Sequence, residues 1–278
     1  MGSMMATRSL SLAWLGALLV SVGADESPSK TNHAASSALP HGEGFAKAFP
    51  GDAKISEHAA VILAENFEQD DYHSRWDEVR DKDKKVLSIV DPSEKRLGNR
   101  ALQVRARLGH NTGGGLTKWF ESAPTLHIRF YTKFDQESDY IHHFVTLRAN
   151  KSLQGSDRWS GFGGAGLKPK GDTRFSTALE DTWICAEFML KHNTPGERDG
   201  EQAFWIDGKL LGHWKGISWR TSPTVWANAL TLEAYVTDRW TKNPFNTVFF
   251  DNLVVARQYI GPTPIGSDRK EPADEGSP

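Results

Sequence analysis

Apolar and polar residues alternate with a period of two along most of the chain from about residue 60 to residue 257. Successive side chains of an extended strand point to opposite faces, so this pattern predicts half-buried strands. The segments are VILAENFE (61–68), KVLSIVD (85–91), ALQVRARL (101–108), LTKWFE (116–121), TLHIRFYTKF (125–134), DYIHHFVTLRA (139–149), TWICAEFMLKH (182–192), QAFWIDG (202–208), KLLGHW (209–214), ALTLEAYV (229–236) and TVFFDNLVVAR (247–257). Asp207-Gly208 joins two of them and predicts a two-residue hairpin turn. No pattern of three amphipathic helical turns occurs. DYHSRWDEVRDKDK (71–84) is the best candidate for a short helix. Many short strands separated by turn residues predict an all-β single domain, an antiparallel jelly-roll β-sandwich, and not a βαβ fold.

The flanks change character. Residues 25–52 are rich in Ser, Ala, Pro and Gly without periodicity and read as a disordered linker. Residues 263–278 read as a disordered tail, which leaves 53–262 for the jelly roll. Residues 1–24 have the parts of a secretory signal: Arg8, an apolar run from Leu10 to Val20, and Val22-Gly23-Ala24 as a cleavage site. The apolar run is shorter than the roughly 20 residues of a membrane span. The expected location is therefore secreted or periplasmic, with no membrane attachment after cleavage.

The single cysteine, Cys185, excludes an internal disulfide. It reads as a small buried strand residue and not as a nucleophile. A net charge of −2 argues against a dedicated nucleic-acid binder, which would carry a basic excess. No Cys/His spacing for zinc is present. A monomer is expected.

GFGGAG (161–166) matches the dinucleotide pattern G-x-G-x-x-G, but that motif must open a helix whose amides meet a pyrophosphate. Here LKPKGD follows, and Pro169 and Gly171 oppose a helix. Sheet curvature, or close approach of a ligand, is the better reading of these glycines.

WICAEFMLKHNTPGERDGEQAFWIDGK (183–209) is more specific. A strand is followed by N-T-P-G, a short loop ending in D-G, and a strand with W-I-D-G-K. This order, with the closing FFDNLVVARQYIGP, resembles concanavalin-A-like jelly rolls of polysaccharide lyases. Alginate and glucuronan lyases and type I heparin lyases are the families it is most similar to. The resemblance covers roughly Ala60 to Pro262. It implies β-elimination on an acidic, uronic-acid-containing polysaccharide with no required cofactor. It also implies a structural calcium ion where first and last strands meet, with Glu65 and Asp251 as its candidate ligands. Related jelly rolls also serve as binding modules. The very short route from FSTALED (175–181) to TWICAEF (182–188) leaves little chain for groove-lining aromatics and favours that alternative.

Strand geometry splits the histidine pair in YIHHFVTLR (140–148). His143 shares parity with Ile141, Val145 and Leu147 and reads as a core histidine. His142 shares parity with Tyr140, Phe144, Thr146 and Arg148. In TLHIRFYTKF, Leu126, Ile128, Phe130 and Phe134 share one face, and His127, Arg129, Tyr131 and Lys133 the other. With DQES (135–138) as a hairpin loop, the simplest register pairs Tyr131 with His142. One face then becomes basic and aromatic: a solvated outer surface, or a groove for an acidic polymer.

In the second case His142 and Tyr131 are the candidate base and acid. Arg129, Lys133, Arg148, His127 and Tyr140 would hold the substrate. ALTLEAYV adds Glu233 as a groove residue and Tyr235 as the reserve acid or base. Glu187 reads as a surface carboxylate. A glycoside hydrolase is disfavoured, because no strand carries two glutamates spaced to flank a glycosidic bond. The two readings that stand are an exported lyase and a non-catalytic glycan-binding module of the same fold.

Overall fold

The computed structural model describes residues 38–81, 84–91, 97–109, 114–139, 141, 143–150, 182–239 and 241–264. The expected signal peptide, GFGGAG, the FSTALED connection, Tyr140 and His142 lie outside the described residues.

The strands are β1 (Val61–Glu65), β2 (Glu78–Arg80), β3 (Leu87–Val90), β4 (Ala101–Arg107), β5 (Gly114–Trp119) and β6 (Thr125–Phe134), then β7 (His143–Asn150), β8 (Ile184–Lys191), β9 (Gly200–Ile206), β10 (Lys209–Ile217), β11 (Trp226–Tyr235) and β12 (Phe245–Ala256). They form two antiparallel sheets. The larger has the order β10-β9-β8-β6-β12-β4-β3, with β1 also paired to β12. The smaller has the order β2-β5-β11-β7. This is a jelly-roll sandwich, as the alternation predicts. Among the described residues the one addition is β2, which lies within the segment expected to be helical; the helix there, α1 (Tyr72–Arg75), is a single turn.

The core forms where the inward faces meet. Leu126, Ile128 and Phe130 of β6 and Leu102 and Val104 of β4 face Leu230 and Leu232 of β11, Leu147 of β7 and Leu116 of β5. Each such burial stabilises the fold by about 1.5–3 kcal/mol. Asp207 (φ 47°) and Gly208 (φ 76°) make the tight β9–β10 turn, both in the left-handed region that a type I′ turn needs.

Two expectations are corrected here. First, β6 and β7 do not form a hairpin. β6 lies between β8 and β12 in the larger sheet, while β7 pairs with β11 and is an edge of the smaller sheet among the described residues. Tyr131 is therefore opposite Cys185 and Asp251, not His142. Parity fixes which residues share a face but not which strand is the neighbour. The connecting residues are tied to β12 instead: Ser138 Oγ donates to Thr247 O (3.2 Å) and Asp139 N donates to Asn246 Oδ1 (2.9 Å).

Second, the polar face of β6 is a buried interlayer and not a groove. Residues 38–57, expected as mostly linker, include three short 3-10 turns (Phe45–Ala48, Pro50–Asp52, Ile55–Glu57). With residues 259–264 they form a strap over the outer face of the larger sheet. Arg129, with no exposed surface, donates to Asp52 Oδ1 (2.8 Å) and to Asn252 O (3.0 Å). Burial alone would lower its pKa, but the Asp52 charge outweighs burial and keeps the guanidinium protonated.

Tyr131 Oη accepts from Thr263 N (2.9 Å), and burial pushes its phenol well up. His127 Nδ1 lies 2.9 Å from Glu187 Oε1, and Glu187 also accepts from Ile260 N and Gly261 N. Glu187 is thus buried beneath the strap and is not a surface carboxylate. Lys133 is buried over the Phe249 ring. Gly44 permits the close approach, since a Cβ there would sit 2.2 Å from Ile260 O.

Candidate functional site

The outward face of the smaller sheet gathers the other polar residues. Pairing places Arg80, Gly115 and Glu233 in one row across β2, β5 and β11. The next row is Glu78, Thr117, Thr231 and Thr146, and the third is Trp119, Ala229 and Arg148.

His143 joins this face through an irregularity. Two residues of β11, Glu233 and Ala234, lie opposite one residue of β7, Phe144, between the pairs Leu232–Val145 and Tyr235–His143. Such a bulge re-aims side chains. Phe144 and Val145 both pack inward, the Phe144 ring 5.1 Å from that of Phe134. The alternation breaks, and His143 turns outward. The expectation of a core histidine is thereby corrected.

Glu233 is the centre of the face. It is buried, yet accepts from Thr146 Oγ1 (2.6 Å) and from Arg80 Nη2 (2.9 Å), and Oε1 lies 3.3 Å from His143 Nδ1. Burial pushes its carboxyl up, but the hydrogen bonds from His143 and Thr146, with the Arg80 charge, outweigh burial and hold it below the ordinary value. An ionised Glu233 cannot donate, so the bond assigns the proton to Nδ1 and leaves Nε2 as the basic nitrogen.

The His143 ring stacks on Tyr235 at 4.6 Å and 3°. The His143 side chain is 23% exposed and that of Arg80 is 47% exposed, so the face is reachable from solvent. Gly115 is required opposite Glu233, because a Cβ there would lie 2.2 Å from Leu232 O and 2.7 Å from Glu233 Cβ.

Arg148 crosses the sheet in the other direction. Its Nη2 donates to Thr117 Oγ1 (2.8 Å) and Glu78 Oε2 (3.3 Å), and its guanidinium lies 5.4 Å from the Trp119 ring centre. Both arginines of the face are thus paired with carboxylates, Arg80 with Glu233 and Arg148 with Glu78.

Of the sequence candidates, Tyr235, Glu233 and Arg148 lie on this face, with Arg148 two rows from Glu233. His127, Arg129 and Tyr131 lie on the opposite outer face under the strap, and Lys133 is buried on that same face beside Phe249. Sequence reasoning missed His143, Arg80, Glu78 and Trp119. The alternation in WDEVR (76–80) is a signal for Glu78 and Arg80, hidden when the segment is read as helix. The bulge that turns His143 outward leaves no signal in the residues themselves.

The calcium candidates do not suit the ion. Glu65 Oε1 accepts from Phe67 N (2.9 Å) and Arg75 Nη1 (3.0 Å), and Oε2 accepts from Trp76 Nε1 (3.3 Å). Burial, then the charges of Glu68 and Asp52, push the Asp251 carboxyl well up, and it accepts from Asn252 N (2.7 Å). Among the described residues no three His, Cys, Asp or Glu side chains are grouped to hold a metal. Burial also pushes the Cys185 thiol up to about 12, so it remains a protonated strand residue. No helix among the described residues is long and apolar enough to cross a membrane.

No family model and no curated protein sequence matches the chain. Solved structures do. An endo-β-1,4-glucuronan lyase from the fungus Trichoderma reesei aligns with a TM-score of 0.51 at 13% identity, over 70% of this chain and 94% of that one. An alginate lyase from Aplysia kurodai aligns at 0.50 and 11% identity, over 71% and 99%. Alginate lyase vAL-1 from a Chlorella virus aligns at 0.50 and 15% identity, over 72% and 100%. At these identities the likeness is one of architecture: the chain has the jelly-roll sandwich fold of glucuronan and alginate lyases.

Proposed function

We propose that the protein is an exported polysaccharide lyase that cleaves a uronic-acid-containing polymer by β-elimination on the outward face of the smaller sheet. The observation that carries this reading is the convergence of Glu233, His143 and Tyr235 there. The reaction removes the proton next to the uronate carboxylate, breaks the bond to the glycosidic oxygen and leaves a carbon–carbon double bond. His143 Nε2 suits proton removal, since Glu233 holds the proton on Nδ1. Tyr235, stacked on the imidazole, suits proton donation to the leaving oxygen. Positioned acid–base groups of this kind contribute about 10²–10⁴-fold each. Arg80 and Arg148 would receive the uronate carboxylate and lower the cost of the developing negative charge. Trp119 offers an aromatic surface for a sugar ring.

One observation favours a second reading, a non-catalytic glycan-binding module. Arg80 and Arg148 are already charge-balanced by Glu233 and Glu78, so a uronate gains less at them than at an unpaired guanidinium. A neutral glycan does not depend on that gain.

Incubation with alginate, glucuronan and glycosaminoglycans, monitored by the ultraviolet absorbance of the unsaturated product, separates the two. Product from the wild-type protein and none from His143→Ala supports the lyase. Binding without product supports the module.

A further inference from the structure

Phe245 at the start of β12 is 40% exposed and lies on the outward face of the larger sheet, beyond the part covered by the strap. It pairs across the sheet with Arg107, and its neighbour Thr247 pairs with Arg105. The Arg105 guanidinium lies 4.1 Å from the Phe245 ring centre and that of Arg107 5.8 Å from it. Both arginines are exposed. Among the described residues neither guanidinium has a carboxylate partner, and both lie against this ring. This contrasts with Arg80 and Arg148 on the other sheet. Asp135 lies on the same row, with its amide on Thr247 O (3.1 Å), but its carboxylate accepts from Glu137 N (2.8 Å).

The geometry points to a second polysaccharide-binding site, formed by Arg105, Arg107 and Phe245, on the opposite side of the sandwich from His143. Its occupant is a stretch of polyuronate. An arginine stacked on an aromatic ring keeps its N–H edge available and loses little freedom when it binds, and that edge matches a carboxylate in two-point geometry. Two such guanidiniums two residues apart on one face of β4 suit carboxylates repeated along a chain. The ring edge beside them offers an apolar surface to sugar C–H groups. Nucleic acid is the poorer fit, because the chain as a whole carries a net charge of −2. The site stands on these three residues; only the choice of uronate as the repeating anion rests on the proposed function.

The test is affinity electrophoresis of the full chain in native gels containing alginate, polyglucuronate, neutral dextran or double-stranded DNA. His143→Ala/Tyr235→Phe protein is used throughout, so that cleavage does not contribute and binding by Arg80, Arg148 and Trp119 at the first site is a constant background. The expected result is retardation by a polyuronate and none by dextran. Arg105→Gln/Arg107→Gln added to that background should weaken polyuronate binding about tenfold. Phe245→Ala, which leaves both charges in place, should weaken it by a smaller factor.

These positions are exposed, and an unchanged thermal midpoint confirms the fold. Retardation unaffected by the arginine substitutions, no retardation by either polyuronate, or equal retardation by DNA would each overturn the proposal. Failure of the lyase reading shows separately, as absence of product from protein with an intact His143.

Discussion

Glu233 Oε1 lies 3.3 Å from His143 Nδ1, although the two residues are 90 positions apart on neighbouring strands, Glu233 within a bulge and His143 just beyond it. The contact sets the imidazole tautomer and joins a buried carboxylate to a half-exposed ring. Glu233→Gln should remove the preference for the Nδ1–H tautomer and lower activity about 10- to 100-fold, while His143 remains present. Nitrogen chemical shifts of the His143 ring check the first effect and product absorbance the second. An unchanged tautomer would remove Glu233 from its positioning role.

Gly115→Ala should destabilise the protein by about 1–3 kcal/mol, because the new methyl group meets Leu232 O and Glu233 Cβ. It should also reduce activity, since the only relief is to push β11 and Glu233 away. Urea unfolding and initial rates on the same sample check both. A stable, fully active variant would show that the β5–β11 spacing does not hold the site.

Arg129→Met should cost about 3–5 kcal/mol, because it leaves Asp52 as an unpaired charge under the strap. Substrate affinity of the remaining folded protein should be unchanged. Reduced stability with unaltered KM is the expected pair of results from denaturant unfolding and steady-state kinetics. A raised KM with normal stability would return this face to the substrate.

His192 is buried with Nε2 accepting from Ala227 N (2.9 Å), and burial pushes its pKa down to about 4. It is neutral in the folded chain. Its contribution is therefore present above the ordinary value of 6.5 and is lost as pH falls toward 4. Thermal midpoints of the wild-type protein should fall across that window by the equivalent of about 3 kcal/mol. His192→Gln should flatten this part of the profile.

The alternation of apolar residues disclosed nearly every strand and the sandwich class, because each strand buries at least one face in a shared core. It also put Tyr235, Glu233 and Arg148 on outward faces. It could not disclose partners. Tyr131 and Arg129 have the composition of a binding face, but two segments distant in sequence, around Asp52 and Thr263, cover them. Parity also misplaced His143, because one extra residue in β11 reverses the facing beyond it. Both errors have one origin: side-chain direction is local, whereas sheet membership and bulges are set by packing between strands far apart in the chain.

The central claim is that chemistry belongs to the outward face of the smaller sheet and not to the face under the strap. The direct measurement is unsaturated-product formation by Tyr235→Phe, His143→Ala and Tyr131→Phe proteins beside the wild type, across alginate, glucuronan and glycosaminoglycans. The account predicts product from the wild type and from Tyr131→Phe, with losses of about 10²-fold or more in the other two. Full activity in Tyr235→Phe and His143→Ala, or no product from folded wild-type protein on any of these polymers, would contradict it.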